Sequence, residues 1–69
     1  MNRVREYRLR AKLTQAELAR QAGVDSRTVS RAEEGQAIRE VQAVAIAEAL
    51  SNALGINLSV QDLGINVYQ

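Results

Sequence analysis

The sequence predicts an all-α fold, a compact bundle of four to five short helices, and three observations carry that reading. Apolar residues recur at helical spacing along most of the 69 residues. Thr14 is followed three residues later by Glu17, the reciprocal capping box that satisfies orphan amide donors where a helix begins. Glycine stands at positions 23, 35, 55 and 64, just after four of the predicted helices, where a positive φ ends a helix cheaply.

The stretch from Thr14 to Gly35 organises the rest. Leu18, Ala19 and Ala22 fall on one face of the helix that Thr14 opens, and Gly23 ends it. After Val24, either Asp25 or Ser26 can cap a second helix, since both carry a short side-chain acceptor. Val29 and Ala32 give that helix an inward side, and Gly35 closes it. Ala19 and Gly23 stand where the two helices approach closely, which small residues permit. Ser26, Arg27, Ser30 and Arg31 point outward, and all of them hydrogen-bond. Two short helices meeting through a glycine-containing turn make a helix-turn-helix, whose second helix is the one offered to DNA.

The runs L-T-Q-A-E-L-A, A-G-V and T-V-S-R-x-E-x-G, all within this stretch or at its edge, resemble the Cro/phage-repressor class, the Xre family. The resemblance extends from Arg8 to about Leu50. It implies a lambda-repressor-like domain over residues 1–69, with the motif, residues 14–35, as helices two and three. It also implies double-stranded DNA as partner, the first motif helix lying across the backbone and the second entering the major groove. Ser26, Arg27 and Arg31 match the positions that reach base edges. Arginine reads guanine with a forked geometry, each good pair contributing about 1–3 kcal/mol of discrimination. Gln15 matches the family's phosphate-contacting glutamine. Thr14, Thr28, Ser30, Arg39 and Arg10 complete the expected phosphate contacts, with a thymine methyl as the alternative for Thr28.

Arg8 lies on the inward stripe of the first helix, and a guanidinium facing a core needs a carboxylate. The resemblance names that partner as Glu33. Two departures from the family pattern bear on function. Glu34 stands where members often carry a phosphate-binding asparagine, which lowers affinity unless the carboxylate turns away or pairs with Arg31 or Arg39. Glu40 replaces the proline often found at the start of the fourth helix, though an acid there suits the helix dipole.

The flanking segments follow the same logic. Residues 2–12 are expected to form the first helix, capped by Asn2, with Val4, Tyr7 and Ala11 on one face and Arg3, Arg5, Arg10 and Lys12 mostly outward. Leu13 plugs the core, and residues 36–39 form a short loop. The fourth helix, roughly Glu40 to Leu54, is apolar nearly all round, with only Gln42 and Glu48 marking a wet side. Ile46, Ala47 and Leu50 pack inward, leaving Val41, Val44 and Ala45 or Leu54 on other faces. That surplus calls for a cover, either a second copy of the chain or the C-terminal segment folded back. Ser59 caps a short fifth helix, Val60 to Leu63, stopped by Gly64. Residues 65–69 alternate apolar and polar, as a strand does, and either pair with a symmetry mate or stay disordered. Val41, Val44, Leu54, Ile65 and Val67 are the candidate dimer contacts.

Composition narrows the function. Without cysteine or histidine the usual metal ligands and the usual general base are absent, so neither a metal, a cofactor nor an enzyme is expected. No apolar run has the length of a membrane span and no signal-peptide pattern precedes the first helix, so a cytoplasmic protein is expected. The net charge of +1 is unevenly spread: residues 1–39 carry all nine bases against five acids, and residues 40–69 carry three acids and no base. Such a chain can turn a basic face to phosphate. The leading expectation is a sequence-specific repressor acting as a homodimer on a palindromic operator. The alternative is an antitoxin or accessory subunit whose fourth helix and tail bind a partner protein.

Overall fold

The structure, a computed structural model, describes residues 2–68. Its elements run α1 (Val4–Arg10), α2 (Gln15–Ala22), α3 (Ser26–Glu33), β1 (Ile38–Arg39), α4 (Glu40–Leu54), α5 (Val60–Leu63) and β2 (Val67–Tyr68). α2 starts at the expected capping box, the Thr14 hydroxyl accepting from the Glu17 amide at 3.0 Å while the Glu17 carboxylate accepts from the Thr14 amide at 2.8 Å. Gly23 follows in the left-handed region with φ 73°, and the Val24 amide reaches back to the Ala19 carbonyl at 3.0 Å. A β-carbon at Gly23 would meet no atom within 4 Å. The glycine is therefore there for its positive φ, and the close approach expected of it falls to the buried Ala19 alone.

α1 is shorter than the expected 2–12. Its start is set by tertiary bonds, since the Arg3 amide donates to the Leu63 carbonyl at 2.8 Å. Asn2 accepts from the Val4 amide at 3.2 Å while its side-chain nitrogen donates to the Ala32 carbonyl. Its end is set by Lys12, whose φ of 60° breaks the helix where a glycine would be usual.

The core is one cluster around α4. Ala43, Ile46, Ala47, Ala49 and Leu50 face inward and meet Val4 of α1, Leu18 and Ala19 of α2, and Val29 and Ala32 of α3. Tyr7, Leu13, Ala22 and Val24 pack at its margin. The chain then folds back: Leu58, Leu63 and Ile65 are buried against the same cluster, and Leu54 packs partly into it. Two dimer candidates thus turn out to belong to the protomer's own core, because α5 and the tail supply the cover that α4 lacks. Val41, Val44 and Val67 remain exposed.

The tail does form a strand, but its partner is internal. β2 pairs in parallel with β1, Ile38 opposite Val67 and Arg39 opposite Tyr68. The segment expected to be a loop therefore ends in a strand, with the Ile38 amide donating to the Asn66 carbonyl at 3.0 Å. Gln69, the last residue of the expected strand, lies outside the described residues.

Candidate nucleic-acid interface

α3 begins at Asp25, whose carboxylate accepts from the Thr28 amide at 2.8 Å. The choice of Asp25 over Ser26 as cap leaves the Ser26 hydroxyl at the open end of the helix. Val29 and Ala32 are fully buried on one side, while Ser26, Arg27 and Arg31 are exposed on the other and Ser30 is half-buried. Among the described residues, Arg27 and Arg31 enter no ion pair. Two guanidiniums one helical turn apart thus extend from the helix with their donors uncommitted, the form that recognises an acceptor pair on a base edge.

Thr28 does not share that face. It is 8% exposed, and its hydroxyl donates to Asp25 at 2.8 Å. The expected phosphate or methyl contact fails because residue 28 falls on the same inward arc as Val29 and Ala32. The two bonds from Thr28, amide first and hydroxyl second, hold the Asp25 carboxyl below the usual carboxylate range, with Arg27 and Arg31 adding smaller pulls. The Thr14 amide and hydroxyl lower Glu17 in the same way.

Beside α3, the first turn of α2 brings Thr14 and Gln15 to the surface edge, Thr14 exposed and Gln15 half-buried. Arg8 and Glu33 form the expected ion pair, Arg8 Nε on Glu33 Oε2 and Arg8 Nη2 on Oε1 at 3.2 Å. Their side chains are 11% and 7% exposed. Sequence reasoning missed the third member of this group: Gln15 Nε2 donates to Glu33 Oε1 at 3.1 Å. No local pattern announces a bond between residues on different helices. Arg10 is already engaged, paired with Glu6 one turn back at 2.8 Å and lying over the Tyr7 ring at 5.2 Å. The spacing of Glu6 and Arg10 was the available signal for that. Arg39 is exposed ahead of α4, its amide donating to the Gln42 side chain at 3.2 Å. Glu34 pairs with neither Arg31 nor Arg39; it accepts from Gln36 at 3.3 Å.

No group of three or more His, Cys, Asp or Glu among the described residues is placed to hold a metal ion, and none of their helices is long and apolar enough to cross a membrane. Neither a curated protein nor a solved structure matches the chain. A family does: residues 4–61 match the helix-turn-helix family, taking in α1 to α4 and the first turn of α5. The chain therefore belongs to the Cro/C1-type, Xre-like helix-turn-helix family of DNA-binding regulators.

Proposed function

We propose that this protein is a cytoplasmic transcriptional repressor that binds a palindromic operator as a homodimer. The observation that carries the reading is the outer face of α3, where Ser26, Arg27 and Arg31 stand exposed opposite the buried Val29 and Ala32. Arg27 and Arg31 read guanines, Ser26 adds a donor or acceptor, and Gln15, Thr14, Ser30 and Arg39 meet phosphates that fix the register. A body of 28 × 21 × 19 Å covers one half-site, since successive half-sites lie about 34 Å apart along the duplex. A second copy, meeting the first through the exposed Val41, Val44 and Val67, supplies the other half.

The test is selection of bound sites from a random duplex pool, followed by measurement of variants on the selected site. Arg27→Ala or Arg31→Ala is expected to cost about 1–3 kcal/mol and to relax preference at one base pair. Gln15→Ala is expected to weaken all duplexes alike, because a phosphate contact carries no sequence information. Equal losses on selected and random DNA for both arginine variants would move specificity to Ser26 or to DNA shape.

One observation favours a second reading. Val41 is 71% exposed on the apolar helix α4, so an antitoxin or accessory subunit that docks a partner protein there is the alternative. Retention on a random duplex that falls steeply with salt separates the two, since it reports phosphate neutralisation.

A further inference from the structure

Arg8, Gln15 and Glu33 come from three helices and meet at one carboxylate. Glu33 Oε2 accepts from Arg8 Nε, and Glu33 Oε1 accepts from Arg8 Nη2 at 3.2 Å and from Gln15 Nε2 at 3.1 Å. Arg8 is itself anchored through Nη1 to the Leu13 carbonyl at 2.9 Å, just ahead of the α2 cap. We propose that the buried Arg8–Glu33 pair is part of the DNA-binding machinery, acting as a positioning pair that holds the Gln15 carboxamide in the orientation that meets a phosphate. The inference rests on the reading of Gln15 as a phosphate contact.

Donor chemistry fixes which end of the carboxamide faces inward. A carboxylate only accepts, so Gln15 must turn its nitrogen toward Glu33. That nitrogen carries two hydrogens, and the one Glu33 does not take is left for an anion. The Gln15 backbone amide lies in the first turn of α2, where the Thr14 hydroxyl takes only the Glu17 amide. Side chain and main chain therefore both offer donors at the amino end of α2, the positive end of a helix. A side chain held in place beforehand loses less freedom on binding than one that swings free. Arg8 contributes in two ways. Its fork fixes the plane of the Glu33 carboxylate, and its charge offsets an anion that would otherwise repel the phosphate beside it.

The test compares four proteins on a random-sequence duplex: the parent, Gln15→Ala, the double variant Arg8→Met/Glu33→Met, and the combined triple variant. Exchanging both charges for methionine removes the anchor without stranding a buried charge. Gln15→Ala and the double variant are each expected to weaken binding about 3- to 10-fold, the scale of one hydrogen bond. The triple variant is expected to lose no more than either. A Gln15→Ala penalty of the same size in both backgrounds would overturn the positioning role and leave Gln15 as an independent contact. A parent that retains no duplex would overturn the DNA reading and this proposal together. Should the double variant fail to fold, nuclear magnetic resonance of the free parent decides. A Gln15 side-chain amide proton that exchanges slowly with solvent and shows contacts to Arg8 supports the proposal. Fast solvent exchange of both carboxamide protons, with no contact to Arg8, refutes it.

Discussion

Arg8 and Arg10 of α1 each pair with a glutamate, Arg8 buried and across to Glu33 of α3, Arg10 exposed and within the helix to Glu6. The second pair is therefore a control for what a buried charge is worth. Arg8 and Glu33 are 11% and 7% exposed, whereas Arg10 and Glu6 are 60% and 47% exposed. Arg8→Ala leaves the Glu33 carboxylate with Gln15 as its donor and strips the Leu13 carbonyl of its bond from Arg8. Breaking a buried pair in this way costs about 3–5 kcal/mol, because the remaining charge stays desolvated. Glu6→Ala removes an exposed pair spaced i, i+4, for which about 0.3–0.5 kcal/mol is expected. A chain of 69 residues has about 3–10 kcal/mol to lose in total. Arg8→Ala therefore takes most of the stability and Glu6→Ala almost none. Urea unfolding followed by far-ultraviolet circular dichroism reads the difference. With a denaturant slope near 1 kcal/mol per molar, the Arg8→Ala midpoint falls by about 3 M or more, or the protein is unfolded without urea. The Glu6→Ala midpoint stays within about 0.5 M of the parent. Equal small shifts for the two variants would refute the assignment of the buried pair as a structural tie.

Three further outcomes follow from the geometry. Lys12→Gly is expected to raise stability by about 0.5–1 kcal/mol, the left-handed cost of a β-carbon less the extra freedom of glycine when unfolded, and a lower urea midpoint would contradict it. Asp25 has a folded pKa below its ordinary value, so its cap contributes above the ordinary carboxylate range and is lost as pH falls through the lowered value. Asp25→Asn keeps a cap without the titration, and its midpoint is expected to fall less steeply with acid than the parent's; identical slopes would count against the cap. Ile65→Ala is expected to cost about 2–5 kcal/mol independent of protein concentration, since the residue is buried within the protomer, and a loss seen only at low concentration would return it to a dimer interface.

What the sequence made legible was whatever is settled by a few neighbouring residues. The Thr14–Glu17 box, the glycine after α2, the bounds of α4 at Glu40 and Leu54, and the cap of α5 at Ser59 each need only local hydrogen bonding. The Arg8–Glu33 tie was reached through resemblance, because a charge on an inward stripe demands a partner but does not name it. The misreadings divide between distant pairings and local choices. Val67 pairs with Ile38 across 29 positions, and no alternation within the tail reveals which strand it meets. Ile65 looked available because burial depends on where α5 sends the chain after Gly64. Thr28 sits at the boundary of the α3 arc, and its bonds to Asp25 settle which way it turns.

The division of charge explains how so weakly basic a protein can act on DNA. All of Glu40, Glu48 and Asp62 are exposed on the α4–β2 half, which holds no base, while Arg20, Arg27 and Arg31 are exposed on the motif. Approach of a duplex to the acidic half is disfavoured, so encounters are biased toward the motif even at a net charge of +1. Each phosphate neutralised steepens the salt dependence by about 0.9, and with Arg8 and Arg10 engaged internally seven of the nine bases remain for such contacts. On the proposed reading, affinity comes from the base contacts of α3 and from joining two such surfaces. A protomer whose own tail covers its core, yet leaves Val41 and Val44 exposed, keeps the apolar area that joining requires.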